Sequence, residues 1–278
     1  MAAEAPQARW KQALWYLVLT ALALIVVFPV YMSLVRALST PADYVRHGQP
    51  PWPVNPQWDI WRRAFDEGDL GRKLALSMLV TVVVVVAQLL TSLLAAYTFT
   101  FLQFPLRRTL FAVFMATLML PIEVTLIPNV ETIRDWHWLN SVQGLSGPFL
   151  ATAFGTFLLR QGFSGIPRDL RDAAELDGFG HLGFLRRVAI PVTRPVIASF
   201  GVISFLSAWN QYTWPRAIVT EERWETIQIG LRSLSARTVD ETNLGVAGAL
   251  VAAAPVLLLL VVLQRHVVRG LTAGAVKG

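Results

Sequence analysis

The chain has 278 residues, of which 54% are hydrophobic and only 15% charged, with no cysteine and a formal net charge of +6. A soluble domain of this length carries more charge, so composition places it among polytopic membrane proteins. The missing cysteines exclude disulfides, thiolate metal sites and cysteine nucleophiles.

Six apolar runs are long enough to cross a bilayer core, which takes roughly 20 helical residues each. They fall at about Ala13–Val35, Leu74–Thr98, Thr109–Val130, Gly147–Gly162, Pro195–Pro215 and Leu244–Leu263. The runs are continuously apolar where a barrel would alternate, and lipid demands that backbone groups pair internally, so the fold class is all-α. The first run begins after Arg9 and Lys11, as a signal peptide would. It is too long, and no small-residue cleavage site follows it, so it reads as a retained anchor.

The largest outer loop, residues 37–73, contains PPWPVNP (Pro50–Pro56), which favours an extended, turn-rich path. QWDIWRRAFDEG follows as a short amphipathic helix with Trp58, Ile60, Trp61 and Phe65 on or near one face. The third run is interrupted by Pro121 and Pro128 and holds Glu123. An ionisable group at membrane depth should face a cavity or pair with another polar group. Packing near the outer helix end is the competing reading. In the fifth run, Trp209, Asn210, Gln211, Tyr212 and Trp214 offer amides that donate and accept, and flat faces for a sugar or glycerol backbone. Helix–helix contact accounts for them equally well.

Lys and Arg set the orientation. With both termini inside, residues 1–12, 99–108, 163–194 and 264–278 together with Arg160 carry 13 basic and 5 acidic residues. The outer pieces carry 10 basic and 12 acidic residues. The net positive charge is therefore an orientation signal rather than a nucleic-acid footprint. Trp52, Trp58, Trp61, Trp136, Trp138 and Trp224 then fall outside, either as an interfacial aromatic belt or as a docking surface for an external partner.

Between the fourth and fifth runs lies IPRDLRDAAELDGFGHLGFLRRVAIP (Ile166–Pro191), too charged for hydrocarbon. It must project into water, where its apolar positions meet protein. Leu170, Ala173, Ala174 and Asp177 share one helical face, which predicts small alanines exposed along it, and Gly178 stops the helix. A second short helix over about His181–Val188 ends at Ile190-Pro191. The segment reads as a helix–Gly–helix elbow.

This segment resembles the EAA loop of ABC importer permeases: an acid followed by two alanines, a glycine beyond, then an apolar-Pro pair about a dozen residues on. The matching positions are Asp172, Ala173, Ala174, Asp177, Gly178, Ile190 and Pro191, with Asp172 standing where the family has Glu. FPVYMSLVRALS, TLMLPIEVTLIPNVETI, FLLRQGFSGIPRDL, SAWNQYTWP and LTAGAVKG extend the likeness to the carbohydrate and glycerol-3-phosphate branch. The resemblance implies a single type I permease domain of six transmembrane helices in a bacterial inner membrane. Its partners would be a second permease subunit, two ATPase subunits and an extracytoplasmic substrate-binding protein. No cofactor would reside in this chain; ATP and Mg would be held by the ATPase subunits, and no G-x-x-x-x-G-K-[ST] phosphate loop occurs here. The elbow would be the coupling helix, and the cargo glycerol-3-phosphate or a glycerophosphodiester, with a sugar as the alternative.

Two rivals are weaker. A self-sufficient secondary transporter would show inverted repeats and several intramembrane ionisable groups, and neither is evident. Gly162-Phe163-Ser164-Gly165 matches the G-x-S-G of intramembrane serine proteases. Here Ser164 ends a membrane run instead of opening one, and His266 sits among Gln264, Arg265 and Arg269 at a membrane edge.

Overall fold

The computed structural model describes residues 7–235 and 241–273; the end of LTAGAVKG and the side chain of His266 lie outside what it describes. The described residues form helices and no strand. Two compact units emerge where the sequence reading has a single domain. One is Met1–Leu70 with Gly230–Ala253, the other Gly71–Ile229 with Ala254–Gly278.

In the first unit, α1 (Gln7–Leu38) is apolar on all sides, and its spanning part, Trp10–Leu38, is almost wholly exposed. A helix of that character is covered by lipid or by other helices. Beyond it come α2 (Pro41–Arg46), which the sequence reading lacks, and α3 (Ile60–Gly68). The proline-rich stretch between them is extended, as its composition predicts, and is held by hydrogen bonds. Thr40 N–H donates to the Val54 carbonyl (3.1 Å), Val54 N–H to Ser39 Oγ (3.1 Å), and Tyr31 Oη to the Pro51 carbonyl (2.6 Å). The buried Asn243 amide, at the start of α15 (Thr242–Ala273), donates to Gln57 Oε1 at 2.9 Å and the Ser39 carbonyl at 3.3 Å. The face that α3 buries differs from expectation. Ile60 and Ala64 are fully buried, whereas Trp58 precedes the helix and is 70% exposed, and Phe65 points outward. The stretch from Trp58 to Phe65 is too short for periodicity to choose between neighbouring faces.

The second unit holds α4 (Leu70–Phe101) beyond its first residue and the remaining spans up to Ile229. Among the described residues, three helices are long and apolar enough to cross a membrane alone: Trp10–Leu38, Leu70–Phe101 and Thr242–Val262. Three bent pairs bring the number to six if each pair is one span. The third expected run is such a pair. α5 (Arg107–Ala116) with a 3₁₀ turn to Met119 meets α6 (Ile122–Asp135) at a 99° bend. Extended backbone at Leu120 and Pro121 makes that break, while Pro128 stays inside α6. The fourth run starts earlier than its hydropathy indicates: α7 (Val142–Ser146) and a 3₁₀ turn to Phe149 lead at 49° into α8 (Ala153–Ser164).

Close approach fixes the packing of this unit. A Cβ on Gly155 of α8 would overlap the ring of Phe200 and crowd Ser92 Oγ of α4. Lys73, 4% exposed, pairs with Glu225 at 3.0 Å, and Ser77 Oγ accepts from Ile227 N–H at 2.7 Å. Asn140, at φ 51°, donates to Thr220 Oγ1 (2.7 Å) and accepts from the N–H groups of Thr220 (2.8 Å) and Glu221 (3.1 Å).

The packing at Gly155 generates a paired test. Gly155→Leu should destabilise the detergent-purified chain by about 1–3 kcal/mol, the usual cost of overpacking. Gly201→Ala, whose added methyl would meet only Leu89 Cδ1 at 4.0 Å, should leave the Tm near wild type. Thermal melting of both variants checks this, and equal Tm values would show that the α8 approach is not tight.

Candidate functional site: a water-exposed helical elbow

α9 (Arg168–Leu176) follows Pro167, whose extended backbone (φ −57°, ψ 142°) closes off the preceding turn. Asp169 lies in its first turn, where a carboxylate complements the helix dipole, and Arg171 Nε meets Glu175 Oε1 at 3.0 Å. The helix ends in a Schellman motif. Phe179 N–H donates to the Ala174 carbonyl at 2.9 Å and Gly178 N–H to Glu175 at 3.0 Å, with Gly178 at φ +75°. A side chain at Gly178 would meet no atom within 4 Å, so glycine is required there by backbone conformation and not by crowding.

The second arm departs from expectation. α10 (His181–Phe184) runs through a π-helical turn at Leu185–Ala189 into α11 (Ile190–Val192), without ending at Ile190-Pro191. Proline cannot donate to the carbonyl four residues back, and its ring crowds that carbonyl. A π-turn just before Pro191 widens the helix at that point, so the chain stays helical. The turn in direction falls later, at Thr193, where the segment His181–Val192 meets Arg194–Ile218, opened by α12 (Arg194–Trp209), at an 80° bend. Thr193 Oγ1 donates to the Ala189 carbonyl at 2.7 Å.

The elbow has an inner and an outer side. Inward, Ala174, Phe184, Leu185 and Ala189 are buried with Tyr97, Leu159 and Phe163. Tyr97 Oη and His181 Nδ1 lie 3.0 Å apart. Outward, Asp172, Ala173, Asp177 and Gly178 are exposed, as are Leu170 (42%) and Leu176 (89%). The expectation of two exposed alanines is thus corrected: Ala174 faces the chain's own core and only Ala173 faces out. Ile190 and Pro191 are half-buried and hold the second arm in place. Leu176 escaped the sequence reading because it falls outside the i, i+3, i+4 pattern built on Leu170. Its signal was a leucine set between Glu175 and Asp177 on an otherwise polar helix.

The five residues of the fifth run divide. Trp209 and Trp214 are each 2% exposed. Trp209 stacks on Phe205 (ring centroids 5.7 Å, 8° between planes), and its carbonyl accepts from Gln228 Nε2 at 3.2 Å. Trp214, in α13 (Thr213–Ile218), donates Nε1–H to the Gly144 carbonyl at 3.1 Å and packs edge-on to Phe149. Both indoles serve helix packing in this conformation. Asn210 and Tyr212 are exposed and Gln211 half-buried, in and beside the break between α12 and α13. The Asn210 amide donates back to the Leu206 carbonyl at 2.9 Å. Glu123 is exposed in the first turn of α6, directly after the 99° bend. Ser164 closes α8 and is exposed. Among the described residues, no three His, Cys, Asp or Glu side chains could hold a metal ion.

Comparison with known proteins gives this geometry a family. Residues 88–273, which include the whole elbow, match the model of the binding-protein-dependent transport system inner membrane component family. The sn-glycerol-3-phosphate transport system permease protein UgpE of Rhizobium meliloti is 34% identical over 260 residues, covering 89% of this chain and 91% of that one. Its counterpart in Pectobacterium atrosepticum is 33% identical over 256 residues, with the same coverage, and that of Brucella abortus 32% over 265 residues, at 92% and 94%. The fold is similar to that of a chain in the crystal structure of a bacterial ABC transporter involved in the import of the acidic polysaccharide alginate. The TM-score is 0.79 at 22% identity, covering 96% of this chain and all of that one. With the family match spanning well over half its length, the chain belongs to the inner membrane components of binding-protein-dependent transport systems.

Proposed function

We propose that this chain is the permease subunit through which an ATP-driven importer moves glycerol-3-phosphate or a glycerophosphodiester across the inner membrane. The observation that carries the machinery is the elbow: a capped, water-exposed helix presenting Leu170, Ala173 and Leu176 outward while its other side is fastened to α4 and α8. Large apolar side chains exposed on a polar helix mark a protein interface. The cargo rests on the UgpE relatives, at 32–34% identity over nine-tenths of the chain. The charge asymmetry between the two sides supports cytoplasmic termini and a cytoplasmic elbow.

The assembly consists of this chain, a second permease, two ATPase subunits that hold ATP and Mg, and an extracytoplasmic binding protein. A cleft of the ATPase subunit receives the elbow. Closure of the two ATPase subunits pulls it, and the attached helices switch between inward- and outward-open states. Asp172 keeps the negative charge of the family position on a shorter arm. On the translocation path, Glu123, Asn210, Gln211 and Tyr212 offer the accessible polar groups. Glu123 orients a basic group or a hydroxyl there, because a carboxylate repels a phosphate. Trp209 and Trp214 support that wall from behind.

Two measurements test this reading. Gly178→Trp places a large side chain into the open space over the elbow and strains a left-handed backbone by about 1–2 kcal/mol. The variant should reach the membrane at normal abundance, yet support at least tenfold less uptake and lose substrate stimulation of the ATPase. Leu176→Ser should weaken co-purification of the ATPase subunit without lowering the Tm of this chain, since the side chain is 89% exposed. Full uptake in the first variant and full co-purification in the second would remove the elbow as the ATPase contact. For the cargo, uptake of labelled glycerol-3-phosphate should be competed by glycerophosphocholine and not by a disaccharide. The reverse pattern would reassign the substrate to a sugar.

A further inference from the structure

The turn between α4 and α5 opens onto a cavity of about 680 Å³, whose wall includes Phe99, Gln103, Arg107, Arg108, Phe111 and Arg160. Three guanidinium groups converge there, and no carboxylate lines the space. Arg107 is held in place by donating to carbonyls at and just past the end of α4, Thr100 at 3.2 Å and Leu102 at 2.9 Å. Arg160 lies over the Phe111 ring, 4.0 Å from its centroid, and its Nε–H is buried with no hydrogen-bond partner. Phe99 closes on Phe111 with ring centroids 5.3 Å apart. On the same helix, Leu110 and Val113 are exposed and apolar.

A buried, unpartnered N–H of a charged group is costly, and like charges drawn into one hollow repel. The bias of basic residues toward one membrane side accounts for their sidedness. It does not account for their convergence on one cavity. A tetrahedral oxyanion does, because the planar guanidinium fork matches phosphate oxygens two at a time. Basic pockets between membrane helices on the cytoplasmic side hold lipid phosphates in this way.

We propose that this cavity is a binding site for the phosphate of a phosphate ester, separate from the translocation path, supplied either by an anionic phospholipid headgroup or by a soluble phosphate. The exposed apolar strip at Leu110 and Val113 would carry the acyl chain in the first case. Arg108 and Arg160 supply the free donors, and Arg107 fixes the floor.

The test uses the full chain purified in neutral detergent with whatever subunits accompany it, titrated calorimetrically with dihexanoyl phosphatidylglycerol and, separately, with inorganic phosphate. Wild type should bind at least one of the two saturably. The Arg108→Gln/Arg160→Gln double variant should bind at least tenfold more weakly, and Arg62→Gln, an exposed residue in the other compact unit, should bind as wild type does. Should the double variant melt early, Arg108→Gln alone should still weaken binding at least threefold, since Arg108 is exposed at the start of α5. Phosphatidylglycerol binding that inorganic phosphate does not displace identifies the lipid source; displacement at similar concentrations identifies the soluble one. Failure of wild type to bind either probe, or equal affinity in the arginine variants, would overturn the proposal.

Discussion

A segment too charged for lipid is fastened to helices too apolar for water, and the fastening is the cluster of Tyr97, Phe163, Ala174, Phe184 and Ala189. Magnitudes show which contacts hold it. Burying one phenylalanine side chain contributes about 1.5–3 kcal/mol, and Phe163 and Phe184 are both buried. The Tyr97–His181 hydrogen bond adds on the order of 0.5–1.5 kcal/mol. The Arg171–Glu175 pair, with both side chains substantially exposed, adds little. The apolar side of the elbow therefore sets its position, and the polar contacts orient it. Ala174 belongs to that fastening because a methyl group lets α9 lie close to the cluster.

The breaks in the membrane helices obey a second constraint. Lipid offers no partner to a backbone group, so an interrupted span survives only where protein supplies one. Between α7 and α8 the freed carbonyls of Phe149 and Leu150 accept from Gln88 Nε2 (2.8 Å) and Thr91 Oγ1 (3.1 Å), both on α4. Gln88 in turn accepts from Ser204 Oγ of α12 at 2.7 Å, so three helices share one polar contact. At the end of α12, Asn210 N–H returns to Leu206 at 3.1 Å, and the Trp209 carbonyl takes the Gln228 amide. These two interruptions are thus built features with assigned partners.

Much of this was legible in the sequence, and the rest was hidden for identifiable reasons. Continuous apolar runs located the spans, and the charge of Ile166–Pro191 placed that segment in water, because both are bulk transfer effects that composition carries. Gly178 announced the helix stop because only a left-handed residue closes that motif. Pro121 marked the interruption of the third run, but hydropathy could not give its 99° bend, since apolar residues flank it on both sides, nor tell that Pro128 would be tolerated about two turns later. Proline at 191 read as a stop, and the π-turn that absorbs it depends on packing of Leu185 and Ala189 against α4 and α8. The inner and outer alanines differ by one position, which a nine-residue helix cannot resolve without its neighbours. For the same reason Trp209 and Trp214 look like path residues in sequence and are packing residues in space. Their neighbours Phe205, Phe149 and Gly144 come from other turns or other helices.

These contacts also define a mechanical route within the second unit. The elbow cannot slide on its seat without opening the Phe184 and Ala189 contacts, so a pull on it moves α4 and α8 with it. Its second arm is helical without a gap to Val192, which makes Thr193 the first place where direction changes. Beyond Thr193, α12 is again continuous to Trp209 and is clamped midway by Phe200 against Gly155 and by Ser204 against Gln88. A displacement at Leu176 would thereby pass through helical elements with two changes of direction, at Gly178 and at Thr193, to the break at Asn210–Tyr212. The exposed polar groups of that break stand at the far end of a lever whose near end is the elbow. On the function proposed above, that connection would join the ATPase contact to the translocation path.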